Sequence, residues 1–238
     1  MKNYIWPLPT RMFHWLLAIG FAVAYLLGDN DELRNLHFAF GAFVGTILLF
    51  RVLFGLFGPK HSHFRDFPIG LKNQVEFVKT FFGKTKLYAG HNPMASLVML
   101  GIFFVGIGCS LSGFLIYATE NNVLSLNIGE DFLEKAHEVG ANLFLFLVIF
   151  HVIGVIVDTL FHPQSKTLLS IFTGFKSVEA EKVELNSFQK FFSVLWFLVP
   201  FIFFYLADGL QITNQENEKG KLDKTELHES EEDDEHED

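Results

Sequence analysis

The segment KAHEVGANLFLFLVIFHVIGV sets two imidazoles, His137 and His151, fourteen positions apart in an otherwise apolar run. An α-helix advances about 1.5 Å and 100° per residue, so these side chains stand about 21 Å apart along the axis and within about 40° of one face. An imidazole on such a helix can carry protons, sit solvated at a helix end, or ligate a metal. At the depth of His151 a polar group must find a partner. Two further histidines supply one: His14 opens an apolar run near the N-terminus, and His37 opens the next. If successive runs cross a membrane in alternate directions, the four imidazoles sort into two levels. His37 then meets His137 near one side, and His14 meets His151 near the other. Opposed imidazoles from facing helices, at two depths, are what a bis-histidine, two-haem bundle requires.

The elements that must position them follow from hydropathy. The chain has 238 residues, half of them hydrophobic, with 30 phenylalanines. Five apolar runs, Met12–Gly28, Phe38–Phe57, Met94–Ala118, Val139–Phe161 and Phe191–Ala207, have about the 17–25 residues that cross a bilayer as a helix. The expected fold is an all-α membrane protein: a four-helix transmembrane haem-binding bundle over residues 1–176, a linker at 177–187, and a fifth C-terminal transmembrane helix at 188–210. The first run is read as an uncleaved span, since the signal-like Ala22-Val23-Ala24 lies inside it rather than after it.

Charge placement sets the expected orientation. With the N-terminus cytoplasmic, inner segments hold Lys2, Arg11, Lys60, Arg65, Lys72, Lys79, Lys84, Lys86, Lys166, Lys176 and Lys182. Outer loops hold only Arg34 and Lys135, the positive-inside pattern, and five spans put the C-terminus outside, on the periplasmic face. The net charge of −9 is carried by residues 211–238, expected to be a disordered acidic tail that offers a steering surface to a basic partner. No nucleic-acid partner is expected. The inner segment PIGLKNQVEFVKTFFGK has amphipathic spacing, with Ile69, Leu71, Val75, Val78 and Phe82 on one face, and reads as an interfacial helix. Gly41, Gly45, Gly101, Gly106, Gly108 and Gly113 allow either close helix approach or room for a flat cofactor. Cys109, the lone cysteine, reads as a packing residue.

The stretches YIWPLPTRMFHWLLA, LHFAFGAFVGTILLFRVLFGLFGPKHSHFRDF, GHNPMASLVML and AHEVGANLFLFLVIFHVIGV closely resemble the bacterial cytochrome b561 family, including the b-type cytochrome subunits of nickel–iron hydrogenases. The resemblance covers roughly residues 3–176 and leaves out the fifth span and the tail. It implies a four-helix protein of the bacterial inner membrane that binds two haems b and exchanges electrons with the quinone pool. The family's axial ligands match His14, His37, His137 and His151, in the pairs that depth alone suggests. Two more residues become candidates for the cofactors. Arg51 interrupts an apolar run, where a charge costs about 2.5–3.5 kcal/mol on insertion scales, and is expected to pair with an inner haem propionate rather than snorkel. His91, just before the third span, is a candidate contact for a propionate or quinone. Asp158 reads as a solvated interfacial group or, alternatively, a proton relay; His61, His63 and His162 read as solvated loop residues.

The expected function is electron transfer between a periplasmic partner, a hydrogenase or c-type cytochrome, and quinone. A rival reading is a transporter or proton pathway with titrating histidines, which requires unwound or Gly/Pro-broken paired spans. A second rival, a membrane di-metal oxidase, requires histidines clustered at helical spacing, which the sequence lacks.

Overall fold

The first span starts where proline permits it: Pro9 lies in the first turn of α1 (Leu8–Leu27), where a missing N–H costs nothing. The third span starts more firmly. Asn92 caps α4 (Pro93–Glu120) by accepting from the Ala95 amide at 2.8 Å, and Pro93 occupies the first helical position. The remaining long helices are α2 (Arg34–Phe57), α5 (Glu130–Phe161) and α7 (Ser187–Ala207). Two shorter ones, α3 (Leu71–Thr80) and α6 (Thr167–Thr173), lie between them. These are the elements of a computed structural model that describes residues 2–83, 86–121, 123–124, 128–207 and 209. The expected acidic tail at 211–238 and Lys84 lie outside the described residues.

All five spans are long and apolar enough to cross a membrane, and each runs as an unbroken helix. Nothing in them resembles the paired broken helices of the transport reading. Leu26, Phe104, Phe146 and Tyr205 are among the many apolar side chains left exposed on their outer faces, as lipid-facing positions require.

Within the bundle α1 packs on α2, α2 on α4, and α4 on α5. Small residues make the close approaches. A Cβ at Gly45 would lie 3.0 Å from Ser110, and one at Gly106 would lie 2.8 Å from Leu48. Those two glycines therefore serve helix packing. The fourth side is different. α1 and α5 meet through side chains, including Phe21 on Phe144 at 4.3 Å and the Tyr25 hydroxyl donating to Asn142 at 2.8 Å, rather than through close backbone approach.

α3 confirms the amphipathic spacing: Ile69, Leu71, Val75, Val78 and Phe82 are exposed, while Gln74 and Phe77 face the protein. The Gln74 amide donates to the Pro93 carbonyl at 3.0 Å and fixes this helix to the start of α4. The linker at 177–187 is a packed strap. Val178 and Val183 are buried, the Val183 amide donates to Tyr4, and Asn3 donates to the Val178 carbonyl. It continues from an unexpected strand pair, β1 (Asn3–Tyr4) with antiparallel β2 (Phe175–Lys176).

The strap delivers α7 to α2. Phe50, 1% exposed, stacks on Phe192 at 5.2 Å and meets Trp196 at 5.4 Å, with Phe13 at 3.9 Å behind it. Farther along, Phe43 meets Phe201 and Phe40 meets Phe204. Replacing Phe50 by Ala should destabilise the detergent-solubilised protein by about 3 kcal/mol, the scale of a buried aromatic truncation. Phe203→Ala, on the exposed side of α7, should stay within about 0.5 kcal/mol. Denaturant unfolding of the two variants compares them directly.

Candidate haem sites between paired histidines

At the outer level the rings of His37, on α2, and His137, on α5, have centroids 5.9 Å apart and planes at 90°. The protein fixes the tautomer of each. His37 Nδ1 lies 2.9 Å from the Ala24 carbonyl, and His137 Nδ1 lies 3.0 Å from the Cys109 carbonyl, with the Ser112 hydroxyl at 3.2 Å. A carbonyl accepts only, so both Nδ1 atoms carry the proton and both Nε2 lone pairs are free for a metal. Gly113 makes the space: a Cβ there would lie 2.8 Å from His137 Cε1. The other glycines divide. Gly101 makes an ordinary contact with Leu147, and Gly41 and Gly108 face open space.

At the inner level His14, on α1, and His151, on α5, have ring centroids 6.4 Å apart at 57°. Two opposed imidazoles about 2 Å from a shared metal place their centroids roughly 6 Å apart, so both pairs have the spacing of an axial ligand set. His14 Nδ1 is buried with no hydrogen-bond partner. The inner pair borders a cavity of about 700 Å³ between α1 and α5, within the range of cofactor sites. Its walls are apolar, including Phe21, Met99, Ile102 and Phe144, and its polar groups gather toward residues 86–92, 158–165 and 176. Orphaned imidazole nitrogen, paired ligands and an apolar slot together fit a haem.

The remaining sequence candidates fall out unevenly. His91 lines the cavity between the rings of Trp6 and Phe67, and its Nδ1 is buried without a partner. Burial, then the charges of Arg51 and Lys176, with smaller effects of His151 and His61, push its pKa well below the ordinary value, so it is neutral. Arg51 does not line the cavity. Its guanidinium lies over Phe64 at 5.4 Å and Phe103 at 5.1 Å, with Nη1 buried and unpaired.

His162 corrects its expected role. It is 4% exposed rather than solvated, because the turn after α5 folds it under α3, with Nδ1 3.2 Å from Asp158 Oδ1 and Nε2 3.1 Å from the Phe81 carbonyl. Asp158 is thereby drawn into the cavity wall and is not a solvated interfacial group. His61 and His63 are half-buried. Cys109 is half-buried as well, and its carbonyl matters more to His137 than its thiol does.

Lys176 was missed. Read as one more inner cation, it is 4% exposed and lines the cavity, donating from Nζ to the carbonyls of Gly90 at 2.9 Å and Tyr88 at 3.3 Å. Burial, opposed by Asp158, lowers its pKa to about 8. Only its pairing with Asn3 across the strands turns it inward, and no spacing rule signals that. Among the described residues no three His, Cys, Asp or Glu side chains gather into a metal cluster, which disfavours the di-metal reading.

The sequence pattern of the prokaryotic cytochrome b561 family matches residues 5–174. A probable Ni/Fe-hydrogenase B-type cytochrome subunit of Azotobacter vinelandii is 30% identical over 143 residues, 48% of this chain and 59% of the relative. A probable Ni/Fe-hydrogenase 1 B-type cytochrome subunit of Escherichia coli K12 is 23% identical over 146 residues, 50% of this chain and 61% of the relative. A probable Ni/Fe-hydrogenase B-type cytochrome subunit of Rhodobacter capsulatus is 22% identical over 221 residues, 76% of this chain and 84% of the relative. In the first two the match spans less than two thirds of the relative's own length. No solved structure matches the chain. The family match takes in all four paired histidines and four of the five spans, and the chain belongs to the prokaryotic cytochrome b561 family: it is a multi-pass membrane b-type cytochrome.

Proposed function

We propose that the chain is a dihaem cytochrome that carries electrons between a redox partner on its outer, periplasmic face and the quinone pool of a bacterial inner membrane. The observation that carries this reading is the pair of imidazole pairs, at 5.9 and 6.4 Å, on opposite ends of the same helix α5. Haem iron between two imidazoles supplies one-electron transfer without ligand exchange. The chain's own work is to hold and insulate. His37 and His137 would hold the outer haem, with the carbonyls of Ala24 and Cys109 orienting them and raising their basicity. His14 and His151 would hold the inner haem. Between the levels the apolar contact of Phe21 with Phe144 fills the space between α1 and α5.

Positive-inside counting supports the orientation, with the N-terminus cytoplasmic and the C-terminus periplasmic. The relatives named as hydrogenase subunits support a hydrogenase as the outer partner. Quinone exchanges protons as well as electrons, which favours the inner end, where His91, Asp158 and His162 border the cavity. Arg51 and His91 serve the inner haem, Arg51 as a buried charge beside His91 rather than as a wall of the cavity.

A pyridine haemochrome assay of the purified chain should return two haems, and His14→Ala and His37→Ala should each retain one, of different midpoint potential. One haem in the wild-type chain, or loss of the same haem in both variants, is incompatible with the two-level pairing. A milder variant tests the outer site alone. Gly113→Val forces a side chain into the space of the His137 ring, so haem content should fall from two toward one, and the component that remains should be the one His37→Ala retains. Gly108→Val, at an open and exposed position, should keep both.

A further inference from the structure

The inner cavity is apolar along its length and cationic at one end. Two ammonium groups border it, and they are not equivalent. Lys86 is exposed and lies over the Tyr88 ring at 5.7 Å, where water screens it. Lys176 is 4% exposed, and the chain goes to some length to bury it. The strand register sets it opposite Asn3, and Gly174, at φ 86°, makes the turn before it. A Cβ at Gly174 would strike the Tyr4 ring at 2.6 Å. An ammonium has three N–H donors. Two of these reach the Gly90 and Tyr88 carbonyls, leaving one. Among the described residues no carboxylate lies within ion-pair distance of it; Asp158, which lines the same cavity, is turned to His162. A buried cation left without a counter-ion is costly, and a fold that keeps one in a cofactor cavity has an anion to place there.

We propose that Lys176 is the carboxylate anchor of the inner cofactor: its ammonium pairs with a haem propionate and fixes which way round the haem lies between His14 and His151. This rests on the two-haem reading. A haem is a flat apolar ring with both carboxylates on one edge, and the cavity has the same division. Its apolar walls take the ring, and its polar end, at residues 86–92 and 176, takes the carboxylates. His91, neutral and with an unpartnered Nδ1, stands beside Lys176 as a second, uncharged contact.

The rival role is a clamp that only ties down the 88–90 backbone. Lys176→Gln keeps an N–H donor for those carbonyls and removes the charge; Lys176→Arg restores the charge with altered geometry. Potentiometric titration of the purified full-length chain, with haem content measured beside it, separates the two roles. The inner component is identified as the one missing from His14→Ala. A positive charge at the propionate favours reduced iron, so in Lys176→Gln the inner haem's reduction equilibrium should move toward the oxidised form by about tenfold, a screened unit charge at close range. The outer component should not move, and Lys176→Arg should lie within about twofold of wild type. Loss of the inner haem in Lys176→Gln with retention in Lys176→Arg supports the anchor equally. Wild-type potentials in Lys176→Gln, or equal damage in both variants, overturn it. If His14→Ala keeps both haems, the two-haem reading is what fails, and the anchor goes with it.

Discussion

A neutral imidazole in hydrocarbon has one N–H and one lone pair, and both need a partner where no water can serve. That constraint organises the bundle. At the outer level the partners for the N–H are backbone carbonyls, Ala24 for His37 and Cys109 for His137. Ala24 lies in the last turn of α1, where the Gly28 amide bonds Tyr25 instead, so His37 occupies a carbonyl the helix end leaves open; Cys109 lies mid-helix, and its carbonyl also accepts from the Ser112 hydroxyl. The lone pairs, Nε2 on both rings, are left pointing into the gap between two side chains whose centroids are 5.9 Å apart. A metal is the partner that satisfies two lone pairs at once. The separation of α1 from α5 follows: helices packed to backbone contact leave no slot for a flat cofactor, and these two meet only through side chains.

The two levels meet this constraint differently. The outer ligands are tied to the backbone, with Gly113 cut back to admit one ring, so their geometry is set before anything binds. The inner level leaves His14 Nδ1 unpartnered and opens into a large cavity. Second-partner hydrogen bonds raise ligand basicity and favour the oxidised metal. On the two-haem proposal, those bonds at the outer pair and the buried cation at the inner cavity would tilt the two sites in opposite senses, toward oxidised iron at one and reduced iron at the other. With the same imidazole ligands at both, any difference in potential would come from these surroundings.

Most of this was legible because membrane spans are written in hydropathy and ligands in depth. The spans read from sequence differ from the helices mainly at their ends, where α1 begins at Leu8 rather than Met12 and α5 at Glu130 rather than Val139. The depth argument put His14 with His151 and His37 with His137, and those rings are the ones that face each other. What it missed lies outside the spans. His162 follows the end of α5 and Lys176 closes β2, in segments where composition says polar and therefore solvated. Their burial depends on tertiary closure: α3 covering His162, and the β1–β2 pair turning Lys176 inward. The linker at 177–187 also packs, through Val178 and Val183, which its otherwise polar composition does not advertise.

Lys176 also shows where a topological rule and a site can share one residue. Positive-inside counting treats each inner Lys or Arg as a free charge held on the cytoplasmic side. Lys182 and Lys60 fit that description, exposed and paired at the surface with Glu184 and Glu181. Lys176 does not, because it is buried against Trp6 and two loop carbonyls. The coincidence has a physical cause. A cofactor whose charged edge lies toward the inner surface needs cations at that surface, and the inner loops are where insertion already places them. On the proposed reading, the bias that orients the chain would thus supply the groups that orient the cofactor, and α5, with one imidazole of each pair, would align both with the same axis.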